Sequence, residues 1–180
     1  MFEHDGILLR PIERRDLVFL RRMHNRQSTI DNLTDTTLVN EIQQEGWFES
    51  VCKSQSTLRL AVCLPSGEST GLGSDLTIGC VRLDHYDPRN RSIMVGGDID
   101  EPFRGKGYGS KMFGACLKYV FDVMNCHRAY LLVAAYNSVA IGLYKKFGFV
   151  EEGRQVDALF RDGHYHDYIA MYLLEEEYRK

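Results

Sequence analysis

The run Asp100-Glu101-Pro102-Phe103-Arg104-Gly105-Lys106-Gly107-Tyr108-Gly109 limits this chain more than any other stretch. An apolar segment, Ser92 to Val95, leads into it. After it, Phe113, Leu117, Val120, Phe121 and Met124 recur at spacings of three and four, the signature of a helix with one buried face. Alternating glycines between a strand and a helix let successive backbone N–H groups point into one concavity, and the positive end of the helix adds to it. Such a cradle suits a pyrophosphate, with Arg104 and Lys106 placed to add charge. Two other phosphate motifs are excluded. A P-loop requires Ser or Thr after a Gly-Lys pair, and here Gly107 follows Lys106. A dinucleotide fingerprint requires G-x-x-G spacing after the first strand of a βαβ unit, whereas this run follows a middle strand.

The remaining pattern surrounds this unit with strands and helices. Ile7 to Pro11 predicts a short strand and Glu13 to Asn25 a helix. Thr36 to Lys53 predicts a second helix, with Ile42, Trp47, Phe48 and Val51 on its apolar side. Leu58 to Leu64 and Leu76 to Leu83 read as hairpin partners around the loop-like Pro65 to Ser74. Asp87 to Asn90 reads as a turn, Ser92 to Ile99 as the strand before the glycines, and Ala129 to Ala134 as an apolar strand. Asn137 can cap a helix carrying Ile141 and Tyr144, and Gly148 can close that helix in a left-handed conformation. Phe149 to Phe160 and Tyr165 to Leu174 predict a hairpin around Arg161-Asp162-Gly163-His164. The order is β-α-α-β-β-β-α-β-α-β-β. The sheet should therefore be mixed, with only the strands flanking the later helices needing to run parallel.

Composition narrows the class. At 180 residues with 44% hydrophobic and 26% charged side chains, the chain reads as one soluble globular domain, 1–180. A net charge of −3 gives no reason to expect nucleic acid or an anionic membrane as partner. Five cysteines (Cys52, Cys63, Cys80, Cys116, Cys126), odd in number and without C-x-x-C spacing, read as reduced thiols of a cytoplasmic protein. No basic-then-apolar leader begins the chain, and no apolar run reaches the ~20 residues that span a membrane.

Three motifs in order resemble the GCN5-related N-acetyltransferases. Arg104-Gly105-Lys106-Gly107-Tyr108-Gly109 is similar to their R/Q-x-x-G-x-G/A acetyl-CoA motif. Asn137 to Phe149 fits N-x-x-A-I-x-L-Y-x-x-x-G-F. Glu152-Gly153-Arg154, then Asp162-Gly163 and Asp167, resembles the ending of the branch that holds ribosomal-protein N-terminal, polyamine and amino-sugar acetyltransferases, although its arginine directly follows Gly153. The resemblance implies an α/β (α+β) fold: a central, mixed, mostly antiparallel sheet of six to seven strands, about four helices, and a V-shaped splay between two central strands. Gly96-Gly97 offers a place for the bulge that opens such a splay.

The resemblance also implies roles. Backbone groups of Gly105, Lys106, Gly107, Tyr108 and Gly109, with Arg104, would take the pyrophosphate of acetyl-CoA. The strand around Ile99 would pair with the pantetheine arm, which Asn137 would also bond. Tyr144 is the candidate general acid, since a phenol with pKa ~10 is protonated at neutral pH and can donate to a departing thiolate. Many relatives carry a glutamate base where this chain has Met94. Asp98, His85 or a chain of waters are the alternatives. His164 and His166 read as surface or acceptor-pocket residues, and no metal is expected.

The acceptor is expected to be a small-molecule amine bound by the first two helices and the last hairpin, with Asn25, Arg26, Trp47 and Phe160 as contacts and the Thr34 to Thr37 stretch nearby. Arginines crowd the N-terminal helices, which favours a phosphorylated acceptor such as a nucleotide-linked amino sugar. A protein N-terminus or a polyamine is the alternative, and a homodimer is among the expectations. An inactive acetyl-CoA sensor would predict loss of Tyr144, which is present.

Overall fold

The computed structural model describes residues 1–32, 37–65 and 75–180. Among the described residues the chain forms eight strands: β1 (Phe2–His4), β2 (Ile7–Pro11), β3 (Leu58–Leu64), β4 (Leu76–Asp87), β5 (Ser92–Ile99), β6 (Arg128–Ala134), β7 (Val150–Arg161) and β8 (His164–Leu174). Six α-helices accompany them: α1 (Leu17–His24), α2 (Gln27–Ile30), α3 (Glu41–Lys53), α4 (Tyr108–Lys118), α5 (Ser138–Lys146) and α6 (Glu175–Tyr178). They make one sheet in the order β1-β2-β3-β4-β5-β6-β8-β7. Among the described strands only β5 and β6 run parallel, joined by α4 as the crossover.

The mixed sheet is as expected, with one strand more. The extra strand is β1, turned back onto β2 through Asp5-Gly6, both at positive φ. The hairpin at the far end uses the same dipeptide: Asp162 and Gly163 have φ 50° and 80°, values that match the right-handed twist of the flanking strands. The second helix starts later than expected, at Glu41. There Asn40 accepts a hydrogen bond from the Gln43 amide, and Gln43 reciprocates on the Asn40 amide. Most of the expected 65–74 loop and the Thr34 to Thr36 stretch lie outside the described residues.

Alternation along the strands sends apolar side chains to both faces. One face packs Ile7, Leu9, Leu60, Val62, Val81, Leu83, Ile93 and Val95 against Phe113, Leu117, Val120 and Phe121 of α4 and its continuation, all buried. The other face packs Ala61, Cys63 and Cys80 against Leu20 and Met23 of α1, with Trp47, Phe48 and Val51 of α3 behind. Cys63, Cys80, Cys116 and Cys126 are buried and free, in keeping with reduced thiols.

Arg10, 3% exposed, fixes the second layer to the sheet. It donates two hydrogen bonds to Asp16 (2.7 and 2.9 Å) and one to Asp75 (2.6 Å). A bidentate guanidinium–carboxylate pair fixes both distance and orientation, so the start of α1 is held against β2.

Candidate functional site

The splay is built from register. β5 and β6 pair only over Ser92–Met94 and Arg128–Tyr130, and beyond that the strands diverge. The crevice therefore opens at their carboxyl ends, where α4 and α5 begin, the usual place for a ligand beside parallel strands. The bulge is not at Gly96-Gly97. It falls on β4, where His85 and Tyr86 together oppose Ile93, with His85 in the left-handed region (φ 52°). Packing requires glycine at Gly97 but not at Gly96, where a Cβ would make only ordinary contact. A Cβ on Gly97 would lie 2.9 Å from Met112 Cε, and one on Gly96 would lie 3.5 Å from the Arg82 guanidinium.

Strand pairing shows which backbone groups face the crevice. The Asp100 amide bonds the Ile78 carbonyl on β4. Alternation then turns the polar groups of Val95, Gly97 and Ile99 toward β6, into the splay. The Ile99 carbonyl is already engaged, accepting from Arg104 Nε at 2.8 Å. The free edge for an added strand is thus Val95 to Gly97, slightly earlier than the expected Ile99.

The glycine run supplies the other half of the crevice. Gly105 and Gly107 have φ 73° and 83°, and a Cβ at either would meet nothing within 4 Å. Glycine is needed there for conformation, not for space. Gly107 is the N-cap of α4 and offers no side-chain acceptor, so the first-turn amides of Tyr108 and Gly109 stay open to an anion.

Arg104 departs from expectation. Its guanidinium turns inward, donating to Ile99 O, Ser28 O (3.2 Å) and Thr29 Oγ1 (3.1 Å). It holds the loop and does not face a phosphate. Lys106 is exposed and donates to Pro102 O at 2.9 Å.

Tyr144, on α5, packs its ring against Phe113 (centroids 5.0 Å apart) and Phe149 (6.0 Å). Burial pushes its hydroxyl up to about 12, helped by the negative charge of Asp98 and opposed by Arg82. Asp98 is in turn paired with Arg82, Oδ2 to Nη1 2.8 Å. Tyr144, Asp98 and Arg82 therefore form one electrostatic group. Arg82 has no local sequence signature that marks it for this group. His85 is not part of the group. It is exposed at the bulge, five register positions from the partner of Asp98, about 16 Å along the strand.

Asn137 is the N-cap of α5, its Oδ1 accepting from the Ala140 amide (3.1 Å) while its Nδ2 donates to Asn32 Oδ1 (2.9 Å). The proposed acceptor residues fare unequally. Asn25 spends its whole amide on the Val39 backbone, at 2.8 and 2.9 Å. Arg26 is ion-paired with Asp100, which is 1% exposed. Trp47 packs into the α1–α3 layer. These three hold the fold together. Phe160 is 54% exposed and lines a surface groove of about 560 Å³ between α2 and the β7–β8 hairpin, shared with Gln27, Asp31, Asp162 and Tyr168.

The arginine excess also reads differently in three dimensions. Arg10 pairs with Asp16 and Asp75, Arg14 with Glu45, Arg15 with Glu13, Arg21 with Glu41 and Arg26 with Asp100. These five charges are neutralised locally, Arg22 lies over the Phe19 ring, and the argument for a phosphorylated acceptor weakens accordingly. His166 lies edge-on to Tyr136 (centroids 5.0 Å apart), and His164 is exposed. Among the described residues no cluster of three His, Cys, Asp or Glu could hold a metal.

The chain is 29% identical over 172 residues to the spermidine N(1)-acetyltransferase of Vibrio cholerae, covering 96% of this chain and 95% of that one. The crystal structure of spermidine N-acetyltransferase from the same organism in complex with CoA and spermine superposes with a TM-score of 0.89 at 28% identity, over 98% of this chain and 100% of that one. A dodecameric structure of that protein gives 0.81 at 28% identity, over 97% of each chain. Residues 7–150 match the acetyltransferase (GNAT) domain. With the splayed strands and the open helix N-terminus beside them, the chain belongs to the GNAT acetyltransferase family and is an acetyl-CoA-dependent N-acetyltransferase.

Proposed function

We propose that the acceptor is a primary amine of a linear polyamine. The end-to-end similarity to spermidine acetyltransferases carries this reading. The groove beside the crevice supports it: two carboxylates, Asp31 and Asp162, outnumber its one guanidinium, Arg161, which donates to the Phe160 and Ile30 carbonyls, and the aromatic faces of Phe160 and Tyr168 suit ammonium groups.

Acetyl-CoA supplies a thioester-activated acetyl group. The amides from Gly105 to Gly109 would hold its pyrophosphate. The Val95–Gly97 edge, with its open backbone groups, would hold the pantetheine arm, and Asn137, whose own groups are engaged at the cap of α5, would flank it. Asp98, with Oδ2 tied to Arg82, would turn its other oxygen to the incoming ammonium and take its proton directly or through water. The amine nitrogen then bonds the acetyl carbon and the C–S bond breaks. Tyr144, held neutral by its buried setting, gives its proton to the leaving thiolate. Assembly of several copies is part of the proposal, on the precedent of the dodecameric relative and the exposed outer edge of β7.

Release of free thiol tests the acceptor, with spermidine, a nucleotide-linked amino sugar and an N-terminal peptide offered in parallel. Spermidine should give the highest kcat/KM. Faster turnover of the peptide or the amino sugar would overturn the reading, and light scattering would report the assembly.

A further inference from the structure

Residues 26–32 are bonded in two directions. Toward the loop after β5, Arg26 pairs with Asp100 (2.8 Å), Ser28 Oγ donates to Glu101 Oε2 (2.8 Å), and Arg104 donates to Ser28 O and Thr29 Oγ1. Toward the loop after β6, the Tyr136 hydroxyl donates to Asp31 O, and Asn137 Nδ2 donates to Asn32 Oδ1. The first loop leads into the phosphate cradle, and the second caps the helix that carries Tyr144. The side of the segment away from these bonds, Gln27, Ile30 and Asp31, lines the groove.

We propose that residues 26–32 are a tie-bar that holds the two cofactor loops at one separation, with Ser28 and Asn32 as positioning residues at its two ends. The physical reason is topological. β5 and β6 stop pairing at Met94, so no sheet hydrogen bonds set the width of the crevice beyond that point. The tie-bar supplies the missing cross-link. Its groove-facing side rests on the acceptor reading above, and it would transmit amine binding to the acetyl-CoA loops. Neither Ser28 nor Asn32 lies in the glycine run, so a contribution from either to coenzyme A affinity must pass through the loops.

The test is calorimetric titration of coenzyme A into the intact chain and into Ser28→Ala, Asn32→Ala and the double variant, with KM for spermidine measured alongside. Both side chains make surface bonds, so the thermal midpoints should stay close to the parent. Each single variant should weaken coenzyme A about five-fold, the worth of one lost hydrogen bond. The two ends act in series on one separation, and each keeps its other bonds, so the losses couple and the double variant should fall well short of the product of the singles. Ser28→Thr and Asn32→Asp keep the bonding oxygen and should keep parental affinity. Unchanged affinity in either alanine variant, or a double variant weakened by the product of the singles, would overturn the tie-bar. Failure of the unaltered chain to turn over spermidine would instead defeat the acceptor reading, leaving the coenzyme A result to stand.

Discussion

Asp98 Oδ2 lies 2.8 Å from Arg82 Nη1, and the same aspartate contributes to holding the Tyr144 hydroxyl protonated. On the proposed mechanism this one electrostatic group would hold both the proton acceptor for the amine and the proton donor for the thiolate. Asp98→Asn keeps the shape and removes the acceptor. It should lower kcat/KM for spermidine about 100-fold, a usual magnitude for a lost general base, while coenzyme A affinity stays near the parental value. An effect confined to coenzyme A affinity would place Asp98 in cofactor binding instead.

Tyr144→Phe should slow transfer about 100-fold or more with coenzyme A affinity nearly unchanged, because the ring packing against Phe113 and Phe149 survives the substitution. The hydroxyl is pushed up to about 12, so loss of its proton should not limit the parental enzyme below about that pH. A full-rate Tyr144→Phe variant, followed by thiol release, would remove Tyr144 from the mechanism.

Much of this was legible locally. Gly107 at the N-cap, Asn137 at its cap and the Asp162-Gly163 turn are short-range features whose residue types dictate the backbone. Asp5-Gly6 carries the same turn signal, but the three-residue β1 before it is too short to show alternation. The misreadings concern partners distant in sequence. Arg26 looked like a free cation until Asp100 was folded against it, and Arg104 looked like a phosphate ligand until α2 arrived beneath it. The bulge at His85 has no compositional mark, since a histidine at positive φ is chosen by its surroundings.

Gly107→Ala separates conformation from packing. Its φ of 83° strains any side chain although space is open. The cost should be about 1–2 kcal/mol. If the run cradles pyrophosphate, the substitution should also weaken coenzyme A several-fold in a calorimetric titration. At Gly153, where a Cβ would meet nothing within 4 Å and no positive φ is needed, alanine should leave that affinity alone.

Stability should fall in acid through the Arg10 cluster. Burial works to raise Asp16 and Asp75, but hydrogen bonds outweigh it: those from Arg10, the Glu13 amide and Thr77 hold Asp16 below the usual carboxylate range, and those from Cys63 and Arg10 hold Asp75 at about 2. A depressed folded value means that the stabilisation is present above the unfolded value of 3.8 and is lost as pH falls toward about 2. Chemical denaturation across pH 5 to 2 should show that decline. Asp16→Ala, which leaves the buried Arg10 with Asp75 as its remaining carboxylate beside Thr77 and the Pro11 carbonyl, should cost about 3 kcal/mol at neutral pH, the low end for a broken buried pair.

The groove predicts how the enzyme measures its acceptor. A polyamine anchored for attack by one terminal nitrogen still carries a distal ammonium, and Asp31 and Asp162 are the groove carboxylates that can receive it. Asp31 Oδ1 already accepts from Gln27, which fixes its direction at 2.6 Å. Exposed pairs of this kind are worth about 0.2–1 kcal/mol each. The double variant Asp31→Asn with Asp162→Asn should therefore raise KM for spermidine about two- to thirty-fold with kcat held. KM for a short monoamine, which has no distal charge, should not change. Equal losses for both amines would mean that the groove carboxylates do not read length, and that selectivity is set inside the crevice beside Asp98.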